Sequence, residues 1–294
     1  MSPTSAQRYQ DRFRTVLDFI DAHLAEDLSI ERLSSVAAFS KYHFHRQFSD
    51  LLGVGVYRYV QLARLKRASY QLAYRQQHPI VDIAFENGYG SPEAFARAFR
   101  KNIGQSPTEF RNEPQWGPWH AIYQPLKAQR NRVMSAEYTL DEVKVVAFPE
   151  TRVGALEYRG DITRIGEAIH TFIEWRKQNR LPPKVSATFN VVYHHPAGAD
   201  EGECHYELCA ATERGVAPND LGVVEKVIPG GRCAVLRHAG SEDRLGDSVS
   251  FLYSQWLPQS GEELRDFPLF FQRVRFFPDV PENEAETDIF LPLK

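Results

Sequence analysis

Two short stretches of this 294-residue chain carry side chains able to read the edges of base pairs. In the first, Phe44, Phe48 and Leu51 recur at i, i+4 and i+7, the spacing of one helix face, which turns Tyr42, His45 and Arg46 onto the opposite, polar face. In the second, Phe95 and Phe99 point inward and Glu93, Ala94, Arg97 and Lys101 point out. The chemistry on offer is recognition of duplex DNA. A guanidinium donates bidentately to guanine O6 and N7, and a carboxylate accepts from cytosine N4. An alanine methyl meets a thymine methyl, and imidazole or phenol reaches base edges or phosphates.

Such faces need rigid elements behind them. Ser40 and Ser91 are good helix N-caps, Pro92 suits the first helical position, and Gly53 and Gly104 follow the two helices. A shorter helix precedes each one, at 30–39 and 81–87, and the second turn is Gly88-Tyr89-Gly90. A short helix, a tight turn and a second helix with a polar outer face is the helix-turn-helix arrangement. The unit also repeats: Ser40, Phe44, Arg46, Phe48, Gly53 and Tyr59 return 51 residues later as Ser91, Phe95, Arg97, Phe99, Gly104 and Phe110. One such helix would suggest only a solvated surface. Two copies with cap, aromatic pair, Arg and terminal Gly point to DNA. A long helix over about 56–73, carrying Arg58, Arg64, Lys66 and Arg67, is expected to set the two readers about one DNA turn (~34 Å) apart.

The rest of the chain reads differently. Residues 1–112 hold fifteen Lys/Arg and eleven Asp/Glu, net +4, against twenty and twenty-seven beyond, net −7. A basic front half on an acidic chain suits a nucleic-acid-binding domain joined to something else. Residues 113–135 are rich in Pro, Gly and aromatics and read as a linker or docking segment. Beyond it, period-two runs such as 144–148, 153–158, 189–193, 233–237 and 288–291 alternate with helical stretches, so the second half reads as α+β. It too is a repeat. Pro149, Arg152, Leu156, Gly160, Arg164 and Gly166 recur 80 residues later as Pro229, Arg232, Leu236, Gly240, Arg244 and Gly246. The expectation is two sheet-and-helix halves about a pseudo-twofold, with a cleft for a ligand between them. The domain limits read as 1–112, a linker at 113–135, and 136–294.

No apolar run reaches the ~18–20 residues of a membrane span, and the N-terminus lacks a secretory pattern. Cys204, Cys209 and Cys233 are an odd number, which favours reduced thiols and a cytoplasmic protein. Cys204, His205 and Cys209 with His194 and His195 lack a paired ligand spacing and mix both faces of a strand, so no metal is expected. No phosphate loop, nucleophile elbow or hydrolase motif appears, so neither cofactor nor enzymatic activity is expected.

Residues 8–112 resemble the DNA-binding domain of the AraC/XylS family of transcription regulators. LSIERLSSVAAFSKYHFHRQFSDLLG and IVDIAFENGYGSPEAFARAFRKNIGQSPTEFR match its two units. The resemblance implies an all-α, homeodomain-like double helix-turn-helix. The first unit would read bases through Tyr42, His45 and Arg46, the second through the positions of Pro92, Glu93, Ala94 and Arg97. Pro92 and Ala94 cannot donate hydrogen bonds from their side chains, so Glu93 and Arg97 carry the second unit and most specificity falls to the first. Lys41, His43, Ser91 and Lys101 are the phosphate candidates.

Residues 136–294 resemble the GyrI-like domain through VIPGGRCAVLRHAG, WLPQSG and FPLFFQ ending in TDIFLPL. That resemblance implies an aromatic-lined groove for hydrophobic, often cationic small molecules, frequently with a buried Glu. Phe271 stands where relatives have that Glu, and Glu207 is the candidate substitute. The groove candidates are Tyr158, Trp175, Phe189, Tyr193, Tyr206, Glu207, Trp256 and Phe271. The expected function is a ligand-responsive regulator, by resemblance an activator, with duplex DNA, a small-molecule effector and RNA polymerase as partners and no membrane. Two readers in one chain make a monomer sufficient without excluding a homodimer. Two other readings stay open: a regulator without sensing, and a GyrI-like domain that hydrolyses small electrophiles.

Overall fold

The computed structural model describes residues 5–134, 138–194 and 203–294. The chain divides into two compact units. One holds residues up to 135 together with Phe277–Asn283, the other Ala136–Phe276 and Glu284–Lys294.

The first unit is helical: α1 (Ser5–Ala22), α2 (Ile30–Val36), α3 (Lys41–Leu52), α4 (Val56–Tyr74), α5 (Ile80–Glu86), α6 (Pro92–Ile103), α7 (Pro107–Asn112) and α8 (Trp116–Val133). It has two cores. Phe13, Val16, Leu17, Leu33, Phe44 and Phe48 fill the first, and Ile83, Phe95, Phe99 and Phe110 the second. Each fully buried Phe or Leu contributes roughly 1.5–3 kcal/mol relative to exposure. The helix α4 serves both. Val56, Tyr59 and Val60 enter the first core, and Leu62, Leu65, Ala68 and Leu72 the second.

The segment 113–135 is not a linker. It forms α8, whose Trp116, Trp119 and Tyr123 bury in the second core and whose Val133 buries in the first. The Tyr123 hydroxyl donates to the Leu62 carbonyl of α4 at 3.0 Å. Two struts, α4 and α8, therefore join the two helix-turn-helix units, and the boundary expected at 112 moves to the end of α8. Beside them lies a buried charge cluster. Glu282 accepts from Lys66 Nζ (α4) at 2.7 Å and pairs with Arg130 Nη1 (α8) at 2.8 Å, and Arg130 also bonds Asp21 of α1. Burial raises the Asp21 carboxyl above its usual range, while Arg130 opposes the rise and Glu282 adds to it.

Among the described residues, the second unit carries one antiparallel sheet of eight strands. They are β1 (Lys144–Phe148), β2 (Thr151–Asp161), β3 (Thr188–His194), β4 (Glu203–Ala211), β5 (Val224–Ile228), β6 (Gly231–Ala239), β7 (Phe270–Arg275) and β8 (Glu286–Pro292). Their order is β1-β6-β8-β7-β3-β4-β2-β5. The two halves meet edge to edge where β3 pairs with β7, with Asn190 opposite Phe271. They also exchange their first strands: β1 pairs with β6 of the second half, and β5 with β2 of the first. Neither half is complete without the other. The helix α9 (Ile165–Gln178) lies on β2 and β4. The helix α10 (Leu245–Phe251) lies on β6 and continues through a π-helical turn, Leu252–Trp256, into α11 (Leu257–Ser260). Under α9, the Trp175 ring sits so close to Gly154 that a Cβ there would overlap it.

Candidate nucleic-acid interface and ligand-binding face

The two candidate reading helices are anchored as their sequences require. Ser40 Oγ caps α3 by accepting from the His43 amide at 3.5 Å, and Gly53 ends it in the left-handed conformation. Phe44 and Phe48 are fully buried, so Lys41, Tyr42, His43, His45 and Arg46 are turned outward, Tyr42 with 78% of its surface exposed. In α6, Ser91 Oγ accepts from the Ala94 amide at 3.2 Å, Pro92 takes the first helical position and Gly104 ends the helix. Phe95 and Phe99 are buried while Glu93, Arg97 and Lys101 are exposed. The Glu93 carboxyl is held below its usual range by its own backbone amide and by the Ser91 hydroxyl, with Arg97 adding to the effect. It is therefore an anion at neutral pH and only accepts, as a partner for cytosine N4 must. Ser91 spends an acceptor site on its helix cap, and Pro92 and Ala94 are half-buried.

The turns differ between the units. The second passes through Gly88 at φ +72°, where a Cβ would lie 2.7 Å from the Leu24 carbonyl and from the Arg64 guanidinium. That guanidinium is fixed, donating to Leu24 O at 2.9 Å and Glu26 O at 2.7 Å. Gly88→Ala is expected to destabilise by at least about 1 kcal/mol. In the first unit the left-handed residue is Ala38, at φ +53°. Ala38→Gly is expected to be neutral or stabilising, and chemical denaturation of the two variants checks both signs.

The sheet sorts the groove candidates by face. Alternate residues point to opposite sides. Tyr158, Tyr206, Trp256 and Phe271 join the cluster under α10, and Trp175 joins Phe172, Leu208 and Ala210 under α9. Phe189 belongs to the cluster on the opposite face, with Phe148, Phe270 and Phe290. Glu207 shares that side. Its carboxylate pairs with Lys226 and accepts from Tyr193, whose ring stacks on His205 at 4.4 Å. Burial and Glu207 together push the Tyr193 phenol up to about 12. The eight candidates thus do not surround one space. Five lie on the helix-bearing side and Phe189, Tyr193 and Glu207 on the other.

Strand pairing shows what the sequence reading passed over. On the helix-bearing face His238, Thr287, Arg273 and Thr188 form one row across β6, β8, β7 and β3, each opposite the next. The row beside it runs Leu236, Ile289, Phe271, Asn190, Leu208. Arg273 Nε donates to Asn190 Oδ1 at 2.9 Å, and its guanidinium pairs with Glu242. Arg176 of α9 reaches Thr188 Oγ1 at 2.5 Å and the carbonyls of Leu181 and Ser186. Burial lowers its pKa to about 10, which still leaves it charged at neutral pH.

His238, 1% exposed, donates from Nε2 to the Ser241 carbonyl at 2.9 Å, leaving Nδ1 as the acceptor for the hydroxyl pair of Ser248 (2.8 Å) and Tyr138 (3.0 Å), which are hydrogen-bonded to each other at 2.6 Å. Burial depresses its pKa, with Arg244 and Arg273 in the same sense. The unfolded chain therefore takes up the proton first as pH falls. The stability His238 contributes is complete above about pH 6.5 and is lost as pH drops toward its lower folded value. Unfolding of wild type and His238→Gln across pH 5–8 checks this: the wild-type slope below 6.5 should flatten in the variant.

The three thiols are free and buried, and burial raises each of them, Cys204 to about 11. They are protonated at neutral pH, the unreactive form. The His194 side chain and His195 lie outside the described residues. Among the described residues, no group of three or more His, Cys, Asp or Glu is placed to hold a metal ion, and no helix is long and apolar enough to cross a membrane.

Comparison with known proteins agrees with both halves. The family model for the GyrI-like small molecule binding domain matches residues 141–294, and that for a helix-turn-helix domain matches residues 33–113. Probable transcriptional regulator YgiV of Escherichia coli (strain K12) is 33% identical over 156 residues, which is 53% of this chain and 97% of that protein. Right origin-binding protein of the same strain is 31% identical over 138 residues, 47% of this chain and 45% of its own length. Transcriptional regulator Rob of Salmonella typhimurium (strain LT2) is 24% identical over 250 residues, covering 83% and 84%. With the GyrI-like model matching over half its length and an AraC-type helix-turn-helix domain ahead of it, the chain belongs to the GyrI-like family and is a DNA-binding transcription regulator with a small-molecule-binding domain.

Proposed function

We propose that this regulator is switched by a small hydrophobic effector, and that in the cytoplasm it activates transcription by binding an asymmetric site and engaging RNA polymerase. The observation that carries the reading is the pair of exposed reading faces on α3 and α6, joined through the shared struts α4 and α8. Each unit presents an arginine, Arg46 or Arg97, on its outward face, so one chain can read two successive patches of major groove. A dimer adds nothing this requires. The base readers are Tyr42, His45, Arg46, Glu93 and Arg97. Lys41, His43, Ser91 and Lys101 hold phosphates and position the readers.

The GyrI-like domain supports sensing over catalysis. Its buried carboxylate, Glu207, already pairs with Lys226 and accepts from Tyr193. A ligand that binds only the folded protein raises its melting temperature, and reciprocity requires that a ligand altering DNA affinity be altered in its own affinity by DNA. A panel of hydrophobic small molecules should therefore contain compounds that both stabilise the full chain and shift its affinity for a selected DNA site. Compounds that stabilise without moving DNA affinity would leave a binding domain and remove the switch. Turnover of reactive esters or epoxides, lost in Glu207→Gln, would favour the hydrolytic reading instead.

A further inference from the structure

We propose that the helix-bearing face of the sheet takes an amphipathic organic anion with an aromatic body, whose carboxylate is held by Arg273 in place of Glu242. This deepens the ligand-sensing reading and rests on it. The buried charge on that face is cationic. Arg176 and Arg244 are buried, and the Arg273 side chain is 18% exposed. Among the described residues of this unit the one buried carboxylate is Glu207, and it lies on the opposite face with Lys226. Arg244 and Arg273 act on His238 in the sense that disfavours its protonation, and Glu242 opposes them, so withdrawing Glu242 leaves this end of the face with its cations.

The pairing of strands then sets a head and a body. Thr188, Arg273, Thr287 and His238 make a polar row, and the next row places Phe271 and Ile289 beside Arg273, with Tyr206 and Tyr158 in the same cluster. A carboxylate on Arg273 stands one strand row from Phe271 and the edge of its aromatic cluster, where Tyr158 is only partly buried. Asn190 fixes the guanidinium from one side at 2.9 Å, so it is oriented before any ligand arrives. Its present anion, Glu242, is 45% exposed and sits in the turn before α10. Glu242 can return to water, so the ligand replaces one carboxylate by another on a planar donor suited to bidentate pairing. A cation placed over Arg273 would meet its guanidinium rather than a carboxylate.

The test uses the full chain and two probes matched in body, naphthalene-2-carboxylate and the 2-naphthyltrimethylammonium ion, by calorimetry and thermal shift. The carboxylate should bind saturably and raise the melting temperature, at least roughly tenfold tighter than the ammonium ion. Arg273→Gln should weaken the carboxylate roughly tenfold or more. Glu242→Gln, a change at a half-exposed position, should tighten it severalfold by removing the internal competitor, and this arm holds even if Arg273→Gln folds poorly. Equal or tighter binding of the ammonium ion, or a carboxylate affinity indifferent to Glu242→Gln, overturns the inference while leaving the sensing reading intact. Binding of neither probe at millimolar concentration also overturns it, and the broader ligand panel then decides the sensing reading separately.

Discussion

Glu282→Gln should lower the stability of the helical unit by about 3–5 kcal/mol. The change preserves shape, so it opens no cavity. What it removes is the charge that Lys66 and Arg130 share at 2.7 and 2.8 Å. Asp21, the other acid of the cluster, is itself pushed by burial toward its neutral form and compensates little. An uncompensated buried cation is costly because little water reaches it. A control lies a few residues away. Asp279 bonds Arg75 bidentately at 2.7 and 2.6 Å, but about half of the Asp279 side chain is exposed, so Asp279→Asn should cost less than about 1 kcal/mol. Hydrogen exchange at the α4 and α8 amides resolves the helical unit from the sheet. Equal protection losses in the two variants would contradict a special role for the cluster.

Arg46→Ala should weaken binding to a cognate site by about 1–3 kcal/mol and relax preference at one base pair. Arg46 is exposed on a helix whose inner face is locked by Phe44 and Phe48, so its loss leaves the fold alone. Lys101→Ala should behave differently, weakening all sequences alike and reducing the salt slope by about one. Titrations of both variants on cognate and scrambled duplexes at several salt concentrations separate the roles. Unchanged specificity in Arg46→Ala would remove its base contact. A cognate-only defect in Lys101→Ala would remove its phosphate role.

The helix-turn-helix pair was legible because local rules suffice for it: serine caps, aromatics at i and i+4, and a terminal glycine in each copy. The helix α8 was not. Gly117, Pro118 and Pro125 read as breakers, yet Pro118 falls in the first turn, where no intrahelical donor is needed. Pro125 is carried inside the helix while Trp116, Trp119, Tyr123 and Val133 pack on both sides of it. The 51- and 80-residue repeats announced both duplications, but a repeat says nothing about which strands pair. The exchange of β1 and β5 between halves is long-range and needed the structure.

The ligand candidates failed to converge for the same reason. Aromatic type was visible, whereas the face each ring occupies depends on strand parity and register. Phe270 and Phe271 are adjacent and point to opposite sides. Arg273 was within reach of a stricter reading, since it shares parity with Phe271 on one short strand. Glu282 was not, because nothing local marks a loop acid as the partner of Lys66 and Arg130 more than 150 residues away.

The most direct test of the central claim is selection of binding sites from random duplex DNA with the full-length protein at physiological salt, with and without effector candidates. The full chain is required, because residues 1–112 alone lack α8 and Glu282 and would expose both cores. Two paired arginine-bearing readers predict an asymmetric motif with two informative patches about one helical turn apart, the first patch more constrained than the second. A single patch, a palindrome, or no enrichment under either condition would contradict a double reader acting from one chain.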